Sequence, residues 1–159
     1  MRITIYCVGK LKEKYLKDAV EEYAKRLGRY CYVLVSEVSD ERIDQNASDA
    51  QVRAALKLEG DRLLERFSPK DHLIALAIEG KSLSSVELSE HLGSLMNGGA
   101  SSIGFIIGGS AGLSKEVLER ADEAISFSKL TFPHQLMRVM LLEQVYRSFR
   151  IMRGEPYHK

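Results

Sequence analysis

Residues 72–78, His72-Leu73-Ile74-Ala75-Leu76-Ala77-Ile78, are apolar almost without a break. A run this short with no polar alternate reads as a strand covered on both faces, as in the centre of a parallel sheet. The rest of the chain must therefore supply helices on two sides. Residues 2–8 alternate and are rich in β-branched side chains, with Gly9 closing them, and residues 32–38 form a second such strand. Between them, over 13–29, Leu16, Val20, Tyr23, Ala24 and Leu27 recur at helical spacing. Residues 39–47 are polar and aperiodic, a loop. Asn46 or Ser48 can cap the helix that follows, with Val52, Leu56, Glu59, Leu63 and Phe67 along one face. Ser84 or Ser85 caps another, carrying Val86, Leu88, Leu92, Leu95 and Met96 and stopped by Gly98 and Gly99. Strand and helix thus alternate three times before residue 103. That order predicts an α/β chain, one domain over 1–159, with a mostly parallel sheet, helices on both faces and right-handed crossovers.

Composition narrows the classes. A chain of 159 residues can bury a core without staples. Cys7 and Cys31 stand far apart and outside any ligand spacing, which predicts ordinary half-buried thiols in a reducing compartment and no metal site. The first nine residues are too short and too alternating for a signal peptide, and no apolar run approaches membrane-spanning length, so a cytoplasmic protein without a membrane partner is expected. The formal charge is +1, but residues 129–159 hold six Lys or Arg against two acids, leaving the first 128 residues acidic by three. One polyanion-facing surface would produce that asymmetry, as would a solvated basic helix face. Lys10, Lys12, Lys14 and Lys17 crowd the start of the first helix, the unfavourable end for cations, which hints at an anionic partner.

Two loops carry the candidate chemistry. Glu79-Gly80-Lys81-Ser82 lacks the earlier glycine of a phosphate loop, because Ala75 stands there. The apolar strand 103–107 runs into Gly108-Gly109-Ser110-Ala111-Gly112-Leu113-Ser114, with Ser114 placed to cap a short helix over 115–121. This spacing is not that of a dinucleotide fingerprint. Its three glycines allow close backbone approach to a ligand, and a pocket for an adenosine-like group walled by Leu76, Ile107, Phe127 and Leu130 follows. A second apolar segment, 124–128, leads through Lys129-Leu130-Thr131-Phe132-Pro133-His134 into a helix from about Gln135. That helix is apolar around nearly its whole circumference: Leu136, Met137, Val139, Met140, Leu141, Leu142, Val145, Tyr146 and Phe149. A two-fold dimer built on it is the simplest reading, and a fully buried central helix the awkward alternative in so short a chain.

Four motifs carry a family resemblance: Ile107-Gly108-Gly109-Ser110-Ala111-Gly112-Leu113-Ser114, Leu130-Thr131-Phe132-Pro133-His134-Gln135-Leu136-Met137-Arg138, Glu143-Gln144-Val145-Tyr146-Arg147, and Pro156-Tyr157-His158. With the amino-terminal strand and the length, the whole chain resembles the ribosomal RNA large-subunit methyltransferase H family of the SPOUT class. Ser110-Ala111 stands where the family often has Pro-Glu. The resemblance implies a SPOUT-type sheet with a carboxyl-terminal trefoil knot, and methyl transfer from S-adenosylmethionine to N3 of a pseudouridine in large-subunit ribosomal RNA. It implies cofactor contacts at Leu76, Gly108, Phe127, Ser128, Lys129, Leu130, Thr131 and Phe132, and a homodimer through the last helix. A sulfonium donor needs no metal, whereas the imide proton of the base must be removed, by a nearby cation favouring the anion or by a histidine. Arg138, Arg147, Tyr157 and His158 are the catalytic candidates, with His134 behind them. Part of the site is expected from the partner subunit, with the lysines of 10–17 facing RNA. The rival readings are a nucleotide-binding hydrolase or transferase and a non-catalytic ribosome-binding module.

Overall fold

The computed structural model describes residues 1–158. Its elements follow in chain order: β1 Arg2–Val8, α1 Lys14–Leu27, β2 Tyr32–Val38, α2 Asp49–Arg66, β3 His72–Ser82, α3 Ser85–Asn97, β4 Ser102–Ile107, α4 Lys115–Arg120, β5 Glu123–Ser126 and α5 His134–Met152. The five strands form one sheet in the order β2-β1-β4-β3-β5, with every pairing parallel.

Side-chain alternation decides which helix lies where. Ile3, Ile5 and Cys7 of β1 and Ile103, Phe105 and Ile107 of β4 join the core shared with α1, α3 and α5. Tyr6 and Val8, with Ile106, point the other way and pack with Leu63 of α2 and Val117 of α4. The sheet is thus covered on both faces, as the apolar run at 72–78 requires. Capping follows the sequence signals: Ser48 and Ser84 each accept from the N3 amide while Gln51 and Glu87 bond back to the cap nitrogen, and Ser114 caps α4.

Two expectations are revised. The last helix is central, lying between α1 and α3 on one face of the sheet, and none of its residues is exposed. The flanking helices take up part of its apolar surface, while Val139 and Met140 among others stay only partly buried, so the helix is central without being fully enclosed. Strand β3 also runs beyond Ile78 to Ser82. Both Leu76 and Lys81 pair with Ile125 of β5, so residues 77–80 bulge out between them. A Cβ on Gly80 would lie 2.6–2.8 Å from the backbone of Ala124 and Ile125, so glycine there serves close strand approach and the segment is ladder, not phosphate loop.

Candidate cofactor site and the two ends of α5

At the carboxyl ends of β3, β4 and β5 the chain encloses a cavity of about 610 Å³, within the roughly 300–1,000 Å³ range of small-molecule sites. The bulge of β3 supplies Leu76, Ala77, Ile78 and Glu79, the glycine loop supplies residues 108–113, and the segment after β5 supplies Phe127, Ser128, Leu130, Thr131 and Phe132. Of the eight expected contacts, seven line this cavity. Lys129 does not, and its side chain is exposed. His134 and Met137, on the first turns of α5, complete the wall.

The loop's shape follows from its glycines. Gly109 and Gly112 form a bridge, the Gly112 amide donating to the Gly109 carbonyl at 3.1 Å, and Gly112 has φ of +89°. A side chain on Gly108 would run into the backbone of Gly112, including its carbonyl. Position 108 is therefore held to glycine by the loop's own closure, not by a ligand's need for space. The pocket lining contains no Lys or Arg; its acid is Glu79 and its histidine His134. Such a wall suits an uncharged or cationic guest and offers a polyphosphate no cationic side chain to pair with.

His134 is half-buried, and burial is the first cause of its lowered pKa, with Arg138 and Lys12 adding to the fall and Asp40 opposing it. It is thus a neutral imidazole at neutral pH, able to accept a proton. Its neighbourhood is built from the loop after β1: a Cβ on Gly9 would lie 3.5 Å from His134 Nε2, and the Lys12 amide donates to Gln135 Oε1 at 3.0 Å.

The catalytic candidates divide. Arg138 is fully buried, donating from Nη1 to Glu37 at 2.6 Å and from Nη2 to the carbonyls of Val8 and Gly9 at 3.2 and 2.6 Å. It ties α5 to the ends of β1 and β2 and does not line the cavity, so the structure gives it a holding place rather than access to a reacting base. Arg147, Tyr157 and His158 do come together. Arg147 pairs with Glu143 at 2.6 Å, lies over the Tyr157 ring at 4.7 Å and meets His158 Nδ1 at 3.3 Å, while the Tyr157 hydroxyl donates to Glu143 at 3.2 Å. This cluster sits about 20 Å along the helix from His134 at 1.5 Å per residue, so one chain does not bring it to its own cavity.

Glu143, the acid that organises the cluster, was legible as an i,i+4 partner of Arg147. Three of the six basic residues of 129–159 are paired, Arg138 with Glu37, Arg147 with Glu143 and Arg150 with Glu155, the last two with the acids of the same segment. Lys10, Lys12, Lys14 and Lys17 are exposed, though Lys14 bonds Asp18. The thiols of Cys7 and Cys31 are buried deeper than expected, pushed up to about 12 and about 11 by that burial, and are no nucleophiles. His72 shares the Glu123 carboxylate with His91, each at 2.7 Å, at the sheet edge. Among the described residues no helix is long and apolar enough to cross a membrane.

Comparison with known proteins agrees with this geometry. A family model described as a predicted SPOUT methyltransferase matches residues 1–158. Proteins named ribosomal RNA large subunit methyltransferase H from Clostridium kluyveri and Lysinibacillus sphaericus are each 55% identical over 159 residues, covering all of both chains. Among solved structures, a probable methylase family protein from Haemophilus influenzae superposes with a TM-score of 0.52 at 12% identity, over 99% of this chain and 70% of that one. TrmJ from Z. mobilis gives 0.51 at 13%, over 100% and 73%, a likeness of fold.

Proposed function

Since the chain belongs to the SPOUT methyltransferase family, and within it to the ribosomal RNA large subunit methyltransferase H family, we propose that it transfers a methyl group from S-adenosylmethionine to N3 of a pseudouridine in large-subunit ribosomal RNA, working in the cytoplasm. The observation that carries the reading is a cavity of cofactor size, walled by two loops at the strand ends, with a glycine turn and no cation in its lining. When bound there, S-adenosylmethionine supplies a methyl on a sulfonium, whose positive charge a wall holding Glu79 and free of Lys and Arg accommodates. The same wall speaks against a nucleotide-binding hydrolase or transferase, and a cavity of this kind is superfluous in a non-catalytic ribosome-binding module. The choice of pseudouridine N3 rests on the family resemblance, as does the trefoil knot.

The chain's residues have distinct parts in this proposal. Residues 108–113 give main-chain contacts, Leu76, Phe127, Leu130 and Phe132 give apolar walls, and Ser128 and Thr131 give hydroxyls. Lys129, outside the lining, stands as an exposed cation beside the mouth. His134 is the proton acceptor within one chain's reach. Arg147, Tyr157 and His158 reach a cavity only across a dimer. We place that dimer on the face where Val139 and Met140 of α5, with Leu83 and Phe127, line a second groove of about 480 Å³. Phe127 lines both cavities, so a partner seated on the groove would approach the first one. Lys10, Lys12 and Lys17 then serve RNA phosphates by charge alone.

Calorimetry with S-adenosylmethionine and ATP in parallel, followed by methylation mapping on ribosomes from a deletion strain, tests the reading. Donor binding together with N3 methylation restored by the purified chain is the expected result; preference for ATP, or binding of ribosomes without donor, would overturn it. Sedimentation and mixing two inactive chains, one carrying Gly108→Val and the other lacking residues 157–159, test the shared site. Recovered activity in the mixture is expected, and a monomeric native chain would remove the argument.

A further inference from the structure

The proposed chemistry makes no use of Glu59, yet this carboxyl on α2 is only 3% exposed. Its Oε1 accepts the backbone N–H of Glu41 at 2.9 Å, in the segment that joins β2 to α2. Its Oε2 is buried and has no hydrogen-bond partner. A Cβ built on Gly109 would lie 3.3 Å from Oε2, so the free oxygen lies against the glycine loop, which passes between Glu59 and the cavity. The next residue, Gly60, leaves room for the Ser114 hydroxyl that caps α4, and any side chain there would strike it. Two successive residues of α2 thus meet both ends of the loop 108–114.

A buried carboxylate oxygen without a donor is costly to keep, and such orphans in a folded protein call for an explanation. The charged groups around Glu59 do not relieve it. Burial first, then Asp40 and Glu41, raise its pKa, while the Glu41 N–H and Arg62 pull the other way, and Arg62 is itself paired with Glu41. From β1 the neighbour of this spot is Val8, and the loop 108–114 carries no charged side chain. What the loop has is main-chain N–H groups.

We propose that Glu59 is a positioning residue for the cofactor loop: on donor binding a main-chain N–H of the loop turns to donate to Oε2, and that bond holds the loop closed against the donor. This rests on the reading that the cavity takes S-adenosylmethionine. The bond needs the ionised carboxylate, so donor binding lowers the pKa of Glu59. Donor affinity accordingly falls as pH is lowered through the raised carboxyl range of the free protein.

The test measures S-adenosylmethionine affinity by calorimetry between pH 5 and 7.5 for the native chain and Glu59→Gln, with thermal unfolding alongside. Gln keeps the acceptor for the Glu41 amide but can present an NH₂ where an acceptor is needed. The expected result is a folded variant with about tenfold weaker binding at pH 7.5, the worth of one hydrogen bond to a charged group, and no acid-side decline. A folded Glu59→Gln with native affinity and a native pH profile overturns the proposal. Should the variant not fold, the carboxyl carbon of Glu59 is titrated by NMR in the native chain with and without donor; a pKa that does not fall on binding overturns it equally. If the native chain binds no S-adenosylmethionine at all, it is the proposed function that fails, a separate outcome.

Discussion

Arg138 and Arg147 occupy the same helix and differ in everything that surrounds them. The first is fully enclosed, bonded to a carboxylate on β2 and to two main-chain carbonyls at the end of β1 and just beyond it. The second keeps a quarter of its side chain in solvent, pairs with a carboxylate one turn away and stacks on a tyrosine of the tail. The amino end of α5 is thus fastened to the sheet beside the cavity, whereas the carboxyl end carries a cluster that its own tail closes. A single helix can in this way border the cavity from a fastened end and carry a partly exposed, self-paired cluster at the other. Resemblance of residue type says little about role here; the number and depth of partners decides it.

Replacing each arginine by Met breaks the comparison most directly. Arg138→Met leaves two main-chain carbonyls and the partly exposed Glu37 without their donor, and should cost about 1–3 kcal/mol of stability, the usual range for leaving buried acceptors unsatisfied. Arg147→Met should cost under about 1 kcal/mol, as partly exposed pairs do. Urea unfolding of both variants checks this, and equal losses would mean that the burial of Arg138 contributes nothing.

The next effect falls on the cavity beside the amino end. Gly108→Val forces the loop open, because its side chain has only Gly112 to occupy, and S-adenosylmethionine affinity should drop by at least about a hundredfold, roughly 2.7 kcal/mol. Since the obstruction is the loop's backbone, Gly108→Ala should fail almost as badly. Calorimetry on folded variants decides; an alanine variant with near-native affinity would mean that the loop relaxes easily.

Much of this was open to inspection in the sequence. The apolar run at 72–78, the serine caps and the glycine loop dictated a parallel sheet with a cavity at its strand ends, because periodicity and caps are local and the chain obeys them. What escaped was non-local. That α5 is flanked by α1 and α3 depends on strand order, which no spacing records. The bulge of β3 against Ile125 looked like loop because Glu79-Gly80-Lys81 is polar, and its ladder partner lies far along the chain. Arg138 read as a candidate catalyst since a lone arginine in a motif does not reveal that Val8, Gly9 and Glu37 await it. The site's apolar wall was legible and its burial was not.

At the carboxyl end, removal of residues 157–159 takes away the ring that lies against the Arg147 guanidinium and meets Tyr146 edge-to-face at 5.1 Å. If the tail covers the target base, methyl transfer should fall about tenfold, the worth of one stacked ring, while donor affinity stays within about twofold of native because the cavity is built elsewhere. Transfer and binding measured on the same preparation separate the two. A parallel fall in both would show that the tail also shapes the donor site.

The smallest effect concerns His134, and it sharpens the amino-end half of the comparison by pH. Burial, with Arg138 and Lys12 nearby, holds the imidazole neutral in the folded chain, so its folded pKa lies below the unfolded value of about 6.5. The unfolded chain therefore takes up a proton that the folded chain resists. Stability is lost as pH falls from about 6.5, and no further loss from this group follows below its folded pKa. His134→Gln keeps a polar side chain at the cavity wall and cannot titrate. Its melting temperature should match that of the native chain near pH 7.5, apart from a constant offset, and gain on it toward pH 5.5, by about 2–4 °C for each kcal/mol of linkage. Protonation of the folded chain's own imidazole removes the acceptor, so methyl transfer by the native chain should decline lower on the pH scale, as pH falls through the folded pKa, while the Gln variant is slow throughout. Melting curves whose separation stays constant with pH would show that burial does not hold the His134 imidazole neutral.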